Sequence, residues 1–500
     1  MDNIDKSTNQ RFTSRLGLLL SVLGIAVGTG NIWRFPRIAA QCGGEEGAGS
    51  FLIAWLCFLF LWSIPLIIAE YALGRKNRSG VLSTVARSAG KKFTWMGGFI
   101  GFVSTAIMFF YSVIVGWCVY YFIYMLTNPL PMTTAASMQI WESYQSGGWP
   151  ILFHAIAIGI GALVIWKGIN SIEKINKFLI PSLLLIVILS VIRAITLPGS
   201  LDGIKYLFTP QWEQLQNPAI WLEALTQNAW DTGAGWGLFM TYAAYMKKKH
   251  GIVKNAFTTG IGNNIISILA ALMIFGTVFS VSQTELHMNR TQILDIMKTS
   301  GPASTGLTFI WMPQLFARMF LGHPLAVLFF LGLTFAGFSS LISMLELPTR
   351  IFIDAGYKRN HAITLIVTVS FILGIPSAVN LNFLSNQDFV WGLGLMLSGA
   401  LVAFSIVRQG AKNIRKNILL QDKNDLQIGT WWDKVLTYFI PLGAFILLVW
   451  WFSLAASTKK WYDPFQSFSF MTCIFQWSIV LGLLKYYNKQ ITIKMVKFEF

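Results

Sequence analysis

Two short runs put ion-binding groups inside stretches otherwise apolar enough to cross a bilayer. The first is Gly24-Ile25-Ala26-Val27-Gly28-Thr29-Gly30-Asn31-Ile32-Trp33-Arg34-Phe35-Pro36, which sets glycines, an amide and a guanidinium at membrane depth. The second is Trp230-Asp231-Thr232-Gly233-Ala234-Gly235-Trp236-Gly237, a carboxylate followed by glycine at every second position. Each glycine costs about 1 kcal/mol of helix stability relative to alanine, so the helix is expected to open there. Backbone that leaves the helix within a membrane is tolerated only where protein buries it or it lines an aqueous cavity. Freed carbonyls can then hold a hard cation, and N–H groups at a half-helix start can hold an anion. Gly24 and Gly28 also form a small-xxx-small pair able to seat a neighbouring helix, but that reading leaves Asn31 and Arg34 unexplained.

Other chemistries find little support. Cys42, Cys57, Cys118 and Cys473 lie in or beside apolar stretches without CxxC spacing, so neither a disulfide framework nor a zinc site is expected. His154, His250, His287, His323 and His361 are scattered, and no nucleophile, base and orienting acid converge, which argues against an enzyme and against any resident cofactor.

The elements that must position the two runs follow from composition. Of 500 residues, 54% are hydrophobic and 12% charged, and the mean hydropathy is +0.58. A soluble domain carries roughly 25% charged residues, so the expected solvent is a lipid bilayer. About twelve segments approach the roughly 20 apolar residues needed to span it. They run near Leu16 to Ala40, Phe51 to Leu73, Phe93 to Leu126, Ile151 to Trp166, Phe178 to Ile195, Ala219 to Met246, Ile252 to Val281, Leu325 to Ile353, Ala362 to Val379, Phe389 to Val407, Val435 to Leu454 and Phe468 to Leu484. With the amino terminus inside, 29 of the 38 Lys and Arg residues fall in the inner loops and tails. That bias places both termini in the cytoplasm of a multi-pass cell-membrane protein and accounts for the net charge of +17 without nucleic acid. The expected organisation is a cytoplasmic segment 1–15, a core 16–407, a cytoplasmic loop 408–434, two further spans 435–484 and a tail 485–500. The outer stretch His287 to Leu321 holds enough apolar residues to pack back as short helices.

If spans one to five and six to ten are two halves, the interruptions occupy corresponding positions, the pattern of an inverted-repeat transporter. The run Gly30-Asn31-x-x-Arg34-Phe35-Pro36 resembles the first-span signature of the neurotransmitter:sodium symporter family, in its bacterial, leucine-transporter-like form. Glu70 with Gly74-Arg75, Tyr111, Gln227, Asn263, Phe335 to Ser340 and Asp388-Phe389 extend the resemblance across spans one to ten. It implies an all-α fold with a five-plus-five inverted repeat and discontinuous helices one and six, and symport of a small amino acid with sodium by alternating access. A homodimer is compatible with it.

By this resemblance, one sodium site takes the carbonyls of Gly24, Val27 and Ala336 with the hydroxyls of Ser339 and Ser340. The other takes the Ala26 carbonyl, Asn31, Asn263 and Asp231. Substrate would meet Tyr111 and the N–H groups of Thr29 and Gly30, with Ile107, Trp230, Gly233, Trp236, Ser340 and Met344 around its side chain. Arg34 with Asp388 corresponds to the outer gate, and Tyr245 with Asp354 to part of the inner gate, whose partner in the amino-terminal segment, Arg11 or Arg15, is left open. The family's amino-terminal Arg-x-x-Trp is replaced here by Asn9-Gln10-Arg11-Phe12.

Three departures matter. Asp231 stands where the family usually has Ser or Thr, Trp55 where a chloride-binding Tyr is usual, and Ser267 where chloride-independent relatives carry Glu. The expectation is that Asp231 supplies the compensating charge, so that chloride is not needed. Gly28 stands where amine-transporting relatives carry Asp, which favours a neutral amino acid. A substrate without a carboxylate, and a sodium-binding sensor that does not transport, are the alternatives.

Overall fold

The computed structural model describes residues 10–247, 249–298 and 305–496; the outermost parts of the expected terminal segments, 1–9 and 497–500, lie outside them. Among the described residues every regular element is helical. Eight helices are long and apolar enough to cross a membrane: Gly49–Asn77, Lys91–Thr127, Ile169–Ile195, Val253–Thr284, Gly322–Asp354, Arg359–Val379, Leu381–Gln409 and Trp431–Ala456. Three more crossings are bent pairs: Arg15–Ala26 with Thr29–Cys42, Thr134–Ser146 with Trp149–Ile165, and Phe470–Tyr486 with Asn488–Met495. Pro218–Asp231 and Leu238–Ala243 form the twelfth, divided by a non-helical stretch. We call these spans 1 to 12 in chain order, and inner the side on which span 1 begins at Arg15 and span 12 ends at Met495.

Span 1 turns by 46° at its break. Val27 and Gly28 there are extended, and Thr29 opens the second half-helix. Span 6 breaks harder, because Gly233, Gly235 and Gly237 all have positive φ (71°, 88° and 80°), a backbone region that side chains with a Cβ avoid. A Cβ at Gly235 would also lie 2.8 Å from the Cα of Gly399 in span 10. Glu70 of span 2, wholly buried, accepts from the N–H groups of Gly235 at 2.6 Å and Met240 at 3.1 Å. It thereby satisfies donors that the broken helix leaves bare. Span 2 has a π turn at Leu59–Ser63, and the Ser63 hydroxyl lies 3.1 Å from Asn228 Oδ1 and 3.0 Å from the Thr232 hydroxyl at the end of the first half of span 6.

Spans 3 and 8 pack along each other at the centre, while span 11 is peripheral, with only 28% of its apolar window buried. The outer stretch after span 7 folds back as Arg290–Lys298 and Leu307–Ala317. Its Phe309 ring sits among Trp33, Trp117, Tyr121 and Trp141, with centroids 4.8 to 6.1 Å apart.

Candidate ion and substrate site

Both interrupted spans deliver oxygens to the same depth. The Gly28 N–H donates to Asn31 Oδ1 at 2.8 Å, so this side chain caps the half-helix that carries it. Asn31 Nδ2 reaches Asn263 Oδ1 and the Ser267 hydroxyl of span 7, both at 2.8 Å. The same corner of the Asn263 amide lies 3.1 Å from the carbonyl oxygens of Ala26 and Asp231. As an oxygen it crowds two other acceptors; turned over, its nitrogen faces the Asn31 amino group. Either orientation leaves like groups in contact, a conflict that a small cation would resolve in favour of oxygen. The Asp231 side chain is 6% exposed; Oδ2 accepts from Gln227 at 3.4 Å, and Oδ1 has no hydrogen-bond partner among the described residues. A buried carboxylate in that condition calls for a cation or a proton.

The second oxygen cluster lies between spans 1 and 8. The Ser339 hydroxyl is 3.2 Å from the Val27 carbonyl and 2.9 Å from that of Ala336, and the Ser340 hydroxyl is 3.2 Å from that of Gly24. The five oxygens expected for this cage thus fall into two bonded groups, Ser339 with Val27 and Ala336, and Ser340 with Gly24. They are neutral and hard, a set suited to a monovalent cation.

Above the cage, the Tyr111 hydroxyl accepts from the Thr29 N–H and the Thr29 hydroxyl, each at 3.3 Å. A Cβ at Gly28 would lie 3.0 Å from the Ser340 hydroxyl and 3.2 Å from that of Tyr111, so glycine lets both approach the break. A cavity of about 480 Å³ opens here, walled by Thr29, Gly30, Tyr111, Trp230, Gly233, Trp236, Ser340 and Met344 among others. Ile107 does not line it. One helical turn inward of Tyr111, that residue is fully buried, while Phe110 and Ile114 form the span 3 wall. Leu393 and Met396 of span 10 also line the cavity; as apolar residues on an apolar span, they carry no distinguishing signal in sequence.

The cavity runs outward past Arg34, Arg37 and Asp388 to Gln41 and Thr458. Arg34 and Asp388, expected as an outer gate pair, form no ion pair here. The Arg34 guanidinium instead lies 5.0 Å from the Trp230 ring centre, and Trp230 meets Trp236 edge-on at 5.7 Å. The inner side is shut. Tyr245 and Asp354 do not bond to each other: the Tyr245 hydroxyl donates to Glu346 at 2.7 Å, and Asp354 takes Arg350 Nε at 2.8 Å and the Gly80 N–H at 2.5 Å. Arg350, one turn before Asp354 on span 8, lies over the Tyr245 ring at 5.0 Å and links the two. Asp354 is thus engaged by its own helix, with neither Arg11 nor Arg15 as its ion-pair partner. Phe12 is fully buried, donates its N–H to the Tyr245 carbonyl at 3.2 Å and packs on Tyr242. Glu346, buried in span 8, pairs with Arg359 of span 9. The cavity lining reaches Gln41 and Thr458 on the outer side while the inner network is bonded together, so the cavity opens outward.

A profile of the sodium:neurotransmitter symporter family matches residues 9–147 and 145–497. The chain belongs to that family. This symporter is similar to a sodium-dependent transporter of Methanocaldococcus jannaschii, 32% identical over 451 residues, covering 87% of this chain and 88% of the relative. It is 30% identical to the sodium-dependent serotonin transporter of Drosophila melanogaster, over 79% of this chain and 68% of the other. Among solved structures it matches MhsT in complex with L-phenylalanine, with a TM-score of 0.73 and 26% identity, over 88% of this chain and 99% of that one. The symporter is therefore a multi-pass, sodium-dependent transporter and not an enzyme. Tyr111→Phe removes the hydroxyl facing the Thr29 N–H at the start of a half-helix. On the expectation that this hydroxyl meets the substrate carboxylate, a charge-assisted hydrogen bond worth about 1.5–3 kcal/mol is lost, and substrate affinity at saturating sodium should fall about 10- to 100-fold in equilibrium binding, with sodium binding measured alone unchanged.

Proposed function

We propose that the protein carries a neutral α-amino acid together with sodium, by exposing one cavity alternately to either side, and that it does so without chloride. The observation that supports this most directly is the convergence of the Ala26 and Asp231 carbonyl oxygens with Asn31 on the Asn263 amide, while Oδ1 of the Asp231 carboxylate has no hydrogen-bond partner among the described residues. In this reading the carboxylate of Asp231 balances the first cation where Trp55 and Ser267 alter the usual chloride seat. Gly24, Val27, Ala336, Ser339 and Ser340 hold the second cation. The substrate carboxylate meets Tyr111 and the N–H groups of Thr29 and Gly30, and its side chain lies among Trp230, Gly233, Trp236 and Met344. Arg34 and Asp388 close above it when spans 1 and 10 approach, and the Tyr245, Glu346, Arg350 and Asp354 network opens below. The relative solved with L-phenylalanine supports an amino acid as cargo. Both termini lie in the cytoplasm, in keeping with the Lys and Arg bias.

Asp231 and a substrate carboxylate about 4 Å apart would repel by about 4 kcal/mol at an effective dielectric of 20, unless sodium sits between them. Sodium is then a condition of substrate binding. One sodium ion crossing 100 mV gains about 2.3 kcal/mol, and a tenfold gradient adds about 1.4 kcal/mol, enough for several-hundred-fold accumulation. The test is uptake of a panel of neutral amino acids and amines into proteoliposomes with an inward sodium gradient, in chloride and in gluconate. Amino-acid uptake equal in both anions is the expected result; uptake of amines alone, or collapse in gluconate, refutes the proposal. Trp236→Phe should widen competition toward bulkier side chains, and an unchanged profile would remove Trp236 from the pocket.

A further inference from the structure

Span 1 turns one face toward span 5 below the second oxygen cluster. A Cβ at Gly24 would lie 3.2 Å from Asn176 Oδ1, and a Cβ at Gly17 would collide with the Glu173 carboxylate. Gly17 and Gly24 are two helical turns apart and so share a face, and Ser21 lies between them on it. Asn176 and Ser21 are both fully buried, and neither amide atom of Asn176 nor the Ser21 hydroxyl has a hydrogen-bond partner among the described residues. An asparagine with both ends bare inside a packed protein is costly, so its retention needs an account. One turn further inward, Glu173 accepts from the Thr13 N–H and hydroxyl, both at 2.6 Å, and from the Ser14 hydroxyl at 3.0 Å. It also pairs with Lys177 at 2.7 Å, whose side chain is 37% exposed, so the seam reaches the inner surface there.

We propose that Asn176, beside Gly24 of the cage, and Ser21, one turn inward of it, form a staging site for sodium on an exit seam between spans 1 and 5 that Glu173 latches at its inner end. The inference rests on the cage assignment above and adds residues to which that assignment gives no role. Asn176 Oδ1 and the Ser21 hydroxyl replace cage oxygens one at a time as the ion leaves, so the cation is never without ligands in an apolar seam. The carboxamide lies beside the cage rather than in it, since the five cage oxygens are already supplied by spans 1 and 8. Removing it should therefore change how fast sodium leaves and leave the strength of binding from outside intact.

The test uses the purified full chain in two assays. One is equilibrium binding of radioactive sodium; the other is the initial rate of proteoliposome uptake of a radiolabelled mixture of neutral amino acids, as a function of external sodium. Asn176→Leu should lower the maximal rate about tenfold while half-saturating sodium and equilibrium sodium binding stay within twofold. Asn176→Thr, which restores an oxygen, should recover at least half of the rate, and Ser21→Ala should slow it a few-fold. Ser339→Ala, a cage variant, should instead raise half-saturating sodium tenfold or more. The proposal fails if Asn176→Leu weakens sodium binding as Ser339→Ala does, if Asn176→Leu and Ser21→Ala leave the rate unchanged, or if Asn176→Thr is as slow as the leucine variant. Normal sodium dependence in Ser339→Ala, or no sodium-driven uptake by the unaltered chain, would overturn the cage assignment and the staging site together.

Discussion

Asp231→Ser is expected to turn uptake that ignores chloride into uptake that needs it. The carboxylate is nearly enclosed, and Oδ1 has no hydrogen-bond partner among the described residues, so its charge can act on a neighbouring cation. At about 4 Å and an effective dielectric of 20 that attraction is about 4 kcal/mol, which bounds the loss of sodium affinity near a thousandfold. Rearrangement of Gln227, Ser267 and Asn263 around the smaller side chain should offset part of it. In gluconate the variant should need at least ten times more sodium for half-maximal uptake, and chloride should restore much of the difference. Half-saturating sodium that stays the same in both anions would show that Asp231 is not the balancing charge.

Glu346→Ala should shift the protein toward an inward-open state. Arg359 donates to Glu346 and to the Ile165 carbonyl at 2.6 and 3.0 Å, and the Tyr245 hydroxyl donates to the same carboxylate. Removing one member of a buried ion pair costs about 3–5 kcal/mol, because the remaining charge is left uncompensated. In this inner-closed form Tyr245 of span 6 bonds the same carboxylate, so the cost is expected to fall mainly on that form, and several kcal/mol moves a two-state equilibrium by a hundredfold or more. The measurement is alkylation of a cysteine at position 343, where the serine now bonds Tyr242 at 2.8 Å, after replacement of the four native cysteines. The Ser343→Cys thiol should react at least tenfold faster with a reagent applied from the inner side when Glu346→Ala is present. Equal rates would mean that the network is structural only.

Much of this arrangement was legible in the chain itself. Twelve apolar segments and the loop charges defined an all-helical membrane protein, because a bilayer imposes a length and a polarity on every crossing that short-range composition records. The glycines of 24–30 and 233–237 marked the breaks for a similarly local reason: helix propensity is a property of the residue, and positive φ at Gly233, Gly235 and Gly237 bears it out. Asn31 and Asp231 stood out because a polar group in a span needs a partner, whereas Asn263 was marked only by the family resemblance.

Tertiary structure decided which partner each group received. Arg34 and Asp388 carry opposite charges at the outer mouth, yet the guanidinium lies on Trp230, since the separation of spans 1 and 10 depends on which side of the cavity is open. Tyr245 and Asp354 were expected as part of one inner gate; Arg350 links them while the Tyr245 hydroxyl goes to Glu346, and only the packing of span 8 against span 6 could place those two charges there. Ile107 looked like pocket lining and is core, because one turn along span 3 separates the cavity floor from closed packing. Asn176 gave no signal at all: that both ends of its amide are bare is a fact about three spans at once. Sequence thus fixes where helices cross and where they yield, which depend on neighbours in the chain; the pairing of charges and the walls of the cavity depend on neighbours in space.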